Sequence, residues 1–101
     1  MEENAAERIA EIFKTIANPL RLKILALCLE KERTSRELRE ILGISKPLLI
    51  VHLKKLVETG LLEYRVELDP NKMVVRKYYR TKANIRVCLD EKILKEILSQ
   101  K

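Results

Sequence analysis

The apolar positions along this chain change period once, and that change divides it. Residues 3–17 set Ile9, Ile12, Phe13 and Ile16 at helical spacing, with Ala5, Ala6, Ala10 and Ala17 among them. This predicts an amphipathic helix with one apolar stripe. Asn18 reads as the N-cap of a second helix, with Pro19 pre-setting the backbone at its first position. There Leu22, Leu25 and Leu29 form one line, and Leu20, Ile24, Leu27 and Cys28 widen it enough for deep burial. Lys31 to Arg33 is a short charged connection. Thr34-Ser35-Arg36-Glu37 fits a capping box, in which hydroxyl and carboxylate satisfy backbone donors reciprocally. The short helix it starts turns Leu38, Ile41 and Leu42 inward and stops at Gly43. Ser45 caps the next helix, Pro47 falls harmlessly in its first turn, and Gly60 supplies a left-handed stop. Two helices joined this closely around a glycine form a helix-turn-helix.

After Gly60 the period drops to two. Leu62, Tyr64, Val66 and Leu68 alternate with Glu63, Arg65 and Glu67, and Asp69-Pro70-Asn71-Lys72 is a turn. A return strand from Met73 to Arg80 pairs Leu68 with Met73, Val66 with Val75 and Leu62 with Tyr79, which keeps the apolar residues on one face. That register sets Arg65 opposite Arg76, a mildly unfavourable pair unless an anion, or the neighbouring Glu63 and Glu67, neutralises it. Tyr79 belongs to the core, and Tyr78 to the surface or an interface. Ile85–Leu89 is a candidate short strand. Asp90 caps a final helix with Ile93, Leu94, Ile97 and Leu98 on one side. The expected architecture is α+β and mainly α. It is one domain over 1–101, as the length suggests, with a helix-turn-helix at about 34–59, a β-hairpin at about 61–80 and flanking helices at about 3–17 and 90–100.

The helix after Ser45 carries four consecutive apolar residues, more than one face can bury. With Leu49 at zero and about 100° per residue, Leu53 and Leu56 fall beside it as the core stripe. Pro47, Val51 and Glu58 then face away, Lys54 and Lys55 flank them, and Leu48 and Ile50 sit a quarter-turn out. The width of the DNA major groove suits a helix, and its floor mixes hydrogen-bonding groups with thymine methyls. Ser45, Lys46, Pro47, Leu48, Val51, Lys54 and Lys55 are therefore candidate DNA contacts. Lys72, Arg76 and Lys77, with Arg80 and Lys82, make the hairpin a basic wing able to reach phosphates.

Charge supports an anionic partner. The net charge is +6, and the acidic start, with a net of −2 over residues 1–18, contrasts with +4 over 19–60 and +3 over 61–82. The competing reading is a solvated surface of mixed sign. No apolar run approaches membrane-spanning length, and MEENAAER lacks a leader pattern, so a cytoplasmic location is expected. Cys28 and Cys88 match no metal-ligand spacing. They read as small core or near-core residues, with a disulfide or redox switch as the alternative. His52, the one histidine, lies at the border of the core stripe and reads as a packing or hydrogen-bonding residue. No Gly-rich phosphate loop, nucleophile–base set or isolated carboxylate pair argues for an enzyme. No cofactor is expected.

Together IANPLRLKIL, TSRELREILGIS, SKPLLIVHLKKLVETGLL and RKYYR resemble, in order, the motifs of the ArsR-type winged-helix transcriptional regulators. The resemblance covers roughly residues 9–82. It implies a winged helix-turn-helix that binds double-stranded DNA as a homodimer joined through its first and last helices. Ile9, Ile12, Phe13, Ile16, Ile93, Leu94, Ile97 and Leu98 are then the interface. Two departures stand out. The Cys-x-Cys of metal-sensing members is replaced by Thr34-Ser35-Arg36, and residues 90–101 lack histidine, so no metal site is expected. Small polar residues usual in the recognition helix are replaced by Leu48, Ile50 and Val51. These apolar residues suit thymine methyls; alternatively, they suit an apolar groove on a protein partner.

Overall fold

Among the described residues, five helices and three strands follow the order the sequence predicts, with one strand added. The computed structural model describes residues 4–83, 86 and 88–99. Helix α1 (Ala5–Ile16) starts where the Asn4 carboxamide oxygen accepts the Glu7 N–H at 2.8 Å. Helix α2 (Pro19–Glu30) starts at Asn18, whose side chain accepts the N–H groups of Leu20 and Arg21. Next come β1 (Arg33–Thr34), α3 (Ser35–Leu42) and α4 (Lys46–Glu58). Gly43 ends α3 at φ 66°, a left-handed conformation that a Cβ would strain. The chain continues through β2 (Leu62–Asp69), β3 (Val74–Thr81) and α5 (Glu91–Ser99). In α5 the Asp90 carboxylate accepts the Ile93 N–H at 2.9 Å. Of the candidate strand at 85–89, Arg86, Cys88 and Leu89 are not in a strand, and Ile85 and Val87 lie outside the described residues.

The core is narrow. Ile24 and Cys28 of α2, Leu38 of α3, Leu49, Leu53 and Leu56 of α4, and Leu61, Leu62 and Tyr79 at the base of the hairpin bury one another. The α4 stripe is the one the phase argument selects. Three other inward assignments do not hold. Leu22 and Leu29 of α2 are exposed, as is Ile41 of α3. Helix α2 is apolar almost all round, so periodicity cannot choose its buried side. The choice falls on Ile24 and Cys28, which face α3, α4 and the sheet.

Strand β1 is the element the sequence hides, because two residues show no period. Arg33 pairs with Tyr79 and Thr34 with Tyr78, giving an antiparallel sheet of order β1-β3-β2. Arg33 is buried, donating to the Leu27 carbonyl at 3.1 Å and to Glu30 at 2.6 Å. The capping box is only half made. Thr34 accepts the Glu37 N–H, but the Glu37 carboxylate accepts a hydrogen bond from the Thr34 hydroxyl instead of from the backbone.

The hairpin register differs from expectation by two residues. Leu68 pairs with Val75, Val66 with Lys77, Tyr64 with Tyr79 and Leu62 with Thr81. The turn is displaced toward the C-terminus, because Asp69 ends β2 and accepts the N–H groups of Asn71 and Lys72. Met73 then falls in the turn, exposed and at φ 54°. A slip of two leaves every side chain on its expected face but changes its partner. Arg65 faces Tyr78, and Arg76 faces Glu67. The opposed arginines do not exist.

Candidate nucleic-acid interface

Helix α4 is fixed on its rear and open on its front. At the rear, Arg21 of α2 donates from Nε to His52 Nδ1 at 3.0 Å and from Nη1 to the Thr15 carbonyl at 3.3 Å, linking α1, α2 and α4. Lys55 forms an ion pair with Glu11 of α1, whose carboxyl is held below its usual range chiefly by that hydrogen bond. Lys55 thus braces α4 against α1, while Lys54 beside it is exposed.

Burial lowers the His52 pKa, and the Arg21 guanidinium lowers it further. Because the folded value lies below about 6.5, the unfolded chain takes the proton first as pH falls. The contribution of His52 to stability is whole above that range and lost as pH falls through it. The urea midpoint should therefore drop between about pH 7.5 and about pH 5.5, and His52→Asn should flatten that dependence. A wild-type midpoint indifferent to pH across this window would refute the coupling.

At the front, Ser45 caps α4 by accepting the Leu48 N–H, and Lys46, Pro47, Leu48, Val51 and Lys54 all face outward. Val51 is 59% exposed at mid-helix, directly opposite the buried Leu49–Leu53–Leu56 stripe. On the hairpin the cations divide. Arg65 is held by Glu32 at 2.8 Å and Glu67 at 2.7 Å and lies over the Tyr78 ring, and Arg80 is held by Glu63 at 2.8 Å. Lys72 at the turn and Arg76 on the outer face pair with none of the described carboxylates. Lys77 is on the opposite face from Arg76, its ammonium over the Tyr64 ring.

Lys46, Arg76 and Lys77 nevertheless converge, lining one cleft of about 890 Å³ between the start of α4, α3 and β3. Arg36 of α3 joins them there, ion-paired at 3.3 Å with Glu40 of the same lining. The sequence reading missed it because a capping box absorbs its neighbours into local structure. Lys72, Leu48 and Val51 lie outside this cleft.

The flanking helices meet within one protomer. Ile9, Ile12 and Phe13 of α1 and Ile93 of α5 line an apolar cleft with Arg86 and Cys88, and Ile12 and Ile16 also pack on the core. Ile97 is half-buried, whereas Leu94 and Leu98 are exposed, Leu98 by 86%. Cys28 is enclosed in the core, and burial pushes its thiol up to about 11, which disfavours the thiolate a soft metal needs. Among the described residues no group of three or more His, Cys, Asp or Glu could hold a metal ion, and no helix is long and apolar enough to cross a membrane.

Residues 18–64 match the family model described as bacterial regulatory protein, arsR family. A Streptomyces lividans protein described as "Probable mercury resistance operon repressor" is 46% identical over 56 residues, which are 55% of this chain and 45% of that protein. The chain therefore spans less than half of that relative. Among solved structures, HlyU from Vibrio cholerae superposes with a TM-score of 0.66 at 31% identity, covering 83% of this chain and 84% of that one. A homodimeric winged helix-turn-helix DNA-binding domain from Mycobacterium bovis gives 0.62 at 29% identity, covering 75% and 65%.

Proposed function

Because the chain belongs to the arsR family of regulatory proteins, we propose that it is a sequence-specific regulator acting on double-stranded DNA as a homodimer. Helix α4 enters the major groove and the hairpin wing contacts the adjoining backbone. The observation that carries this reading is the front of α4. A helix braced from behind by Arg21, His52, Lys55 and Glu11 presents Lys46, Leu48, Val51 and Lys54 to an open surface beside unpaired wing cations. Leu94 and Leu98 on α5, left uncovered by the protomer, supply the dimer contact together with α1. The homodimeric state of the Mycobacterium bovis domain supports that assembly. A two-fold dimer would set its recognition helices on half-sites about one DNA turn apart. Sedimentation at micromolar concentration is expected to report a dimer, and Leu98→Glu a monomer. A wild-type monomer would refute it.

The test of groove binding separates reading from holding. Val51→Ser should weaken specific binding by about 1–2 kcal/mol and relax preference at one A·T position. Lys54→Ala should weaken binding to all sequences alike and lower the salt slope by about one unit per protomer. If both variants behave identically on a panel of operators, α4 lies on the backbone without reading bases.

One observation favours a second reading. Leu48, Ile50 and Val51 are exposed on α4, and the inner face of the wing leaves Tyr64, Val66, Leu68 and Val75 uncovered, more apolar surface than DNA contact requires. A protein-interaction module would keep its partner in high salt, lose it on Val51→Ser, and bind DNA weakly whatever the sequence.

A further inference from the structure

Beneath the wing, on the side of α4 toward β2 and β3, runs a groove of about 380 Å³. One wall is Ile50, Leu53 and Val57 of α4. The other is Tyr64 and Tyr79, whose ring centroids stand 5.6 Å apart with planes tilted by 48°. Ile50 and Tyr64 are nearly half exposed, so the rim of the groove is open to solvent, while Leu53 and Tyr79 are buried at its base. Two ammonium groups border it. Lys77 sits 4.7 Å from the Tyr64 ring centroid, which holds it at the groove, and Lys54 approaches from the helix. Neither pairs with a described carboxylate. Glu58 is the one acid in the lining.

Small-molecule sites have this size and composition: apolar and aromatic walls with a few polar groups that fix orientation. We infer that the groove between α4 and the wing binds a small aromatic monocarboxylate, its ring against Tyr64 and Tyr79 and its carboxylate between Lys54 and Lys77. The tilted tyrosine pair offers a face and an edge to a flat ring, the geometry aromatic groups prefer. Two lysines against one glutamate leave a net single positive charge, which one carboxylate neutralises. A second carboxylate would face Glu58 or the apolar wall. A cationic ligand would meet both lysines.

The ligand would also occupy Lys54 and Lys77, two cations assigned above to phosphates. Its effect on DNA rests on that assignment, but its binding does not. The deciding experiment therefore uses the full chain without DNA, titrated with 2-naphthoate and with neutral 2-naphthamide and followed by methyl NMR. Naphthoate should bind about tenfold tighter than the amide, with shifts centred on Ile50 and Val57. Lys54→Gln and Lys77→Gln should each weaken naphthoate binding several-fold, and Glu58→Gln should strengthen it. Equal affinities for acid and amide, indifference to all three charge changes, or shifts centred on the α1–α5 cleft would overturn the site. A chain that binds naphthoate in this pattern but no DNA would refute the function proposed above and leave the site standing.

Discussion

Leu56→Ala is expected to lower the unfolding free energy by about 2–5 kcal/mol, the range for emptying a large buried side chain. Leu56 is fully enclosed and lies at the point where α4 turns into the hairpin, its carbonyl accepting the Leu61 N–H at 3.0 Å. A cavity there loosens both the rear of α4 and the base of the wing. Val51→Ser, five residues earlier on the same helix, should change stability by less than about 0.5 kcal/mol, because its side chain already meets solvent. Urea denaturation of the two variants beside wild type makes the comparison. A Leu56→Ala cost below about 1 kcal/mol would mean that the α4 stripe does not organise the core.

Combined replacement of Lys46, Lys54 and Arg76 by Ala should abolish measurable specific binding at physiological salt. Each phosphate contact contributes about 0.9 to the salt slope, so six positions in a dimer amount to roughly five units. Arg65→Ala should leave the slope unchanged, because Glu32 and Glu67 already occupy that guanidinium. Salt titrations by fluorescence anisotropy distinguish them. An equal loss in the Arg65 variant would mean that DNA recruits arginine from its ion pairs and that the division of wing cations is wrong.

The motifs that survive unchanged are local. Asn18, Thr34 and Ser45 cap the helices they were expected to cap, because each acts on N–H groups two or three residues away. The Leu49–Leu53–Leu56 stripe was equally legible, since α4 has polar residues enough to leave one face for the core. The arsR-type motifs carried the architecture as well. Helix α2 shows where pattern fails. With apolar residues on almost every side, its buried face depended on what packed against it, and Ile24 and Cys28 were chosen over Leu22 and Leu29.

What the sequence determined by itself is therefore the succession of helices, turn and hairpin, the inward side of α4, and the basic character of its outward side. Backbone capping and side-chain periodicity act within a few residues, so they can be read along the chain. Only the tertiary structure decided which cations stay available. Lys54 and Lys55 are neighbours in sequence, yet one meets Glu11 across 44 positions and the other meets solvent. Arg65 and Arg76 share a face of the hairpin, yet a register shifted by two, together with Glu32 from the segment before β1, neutralises one and frees the other. Ion pairing depends on distances between residues far apart in the chain, and those exist only once the core has set the helices and the sheet in place.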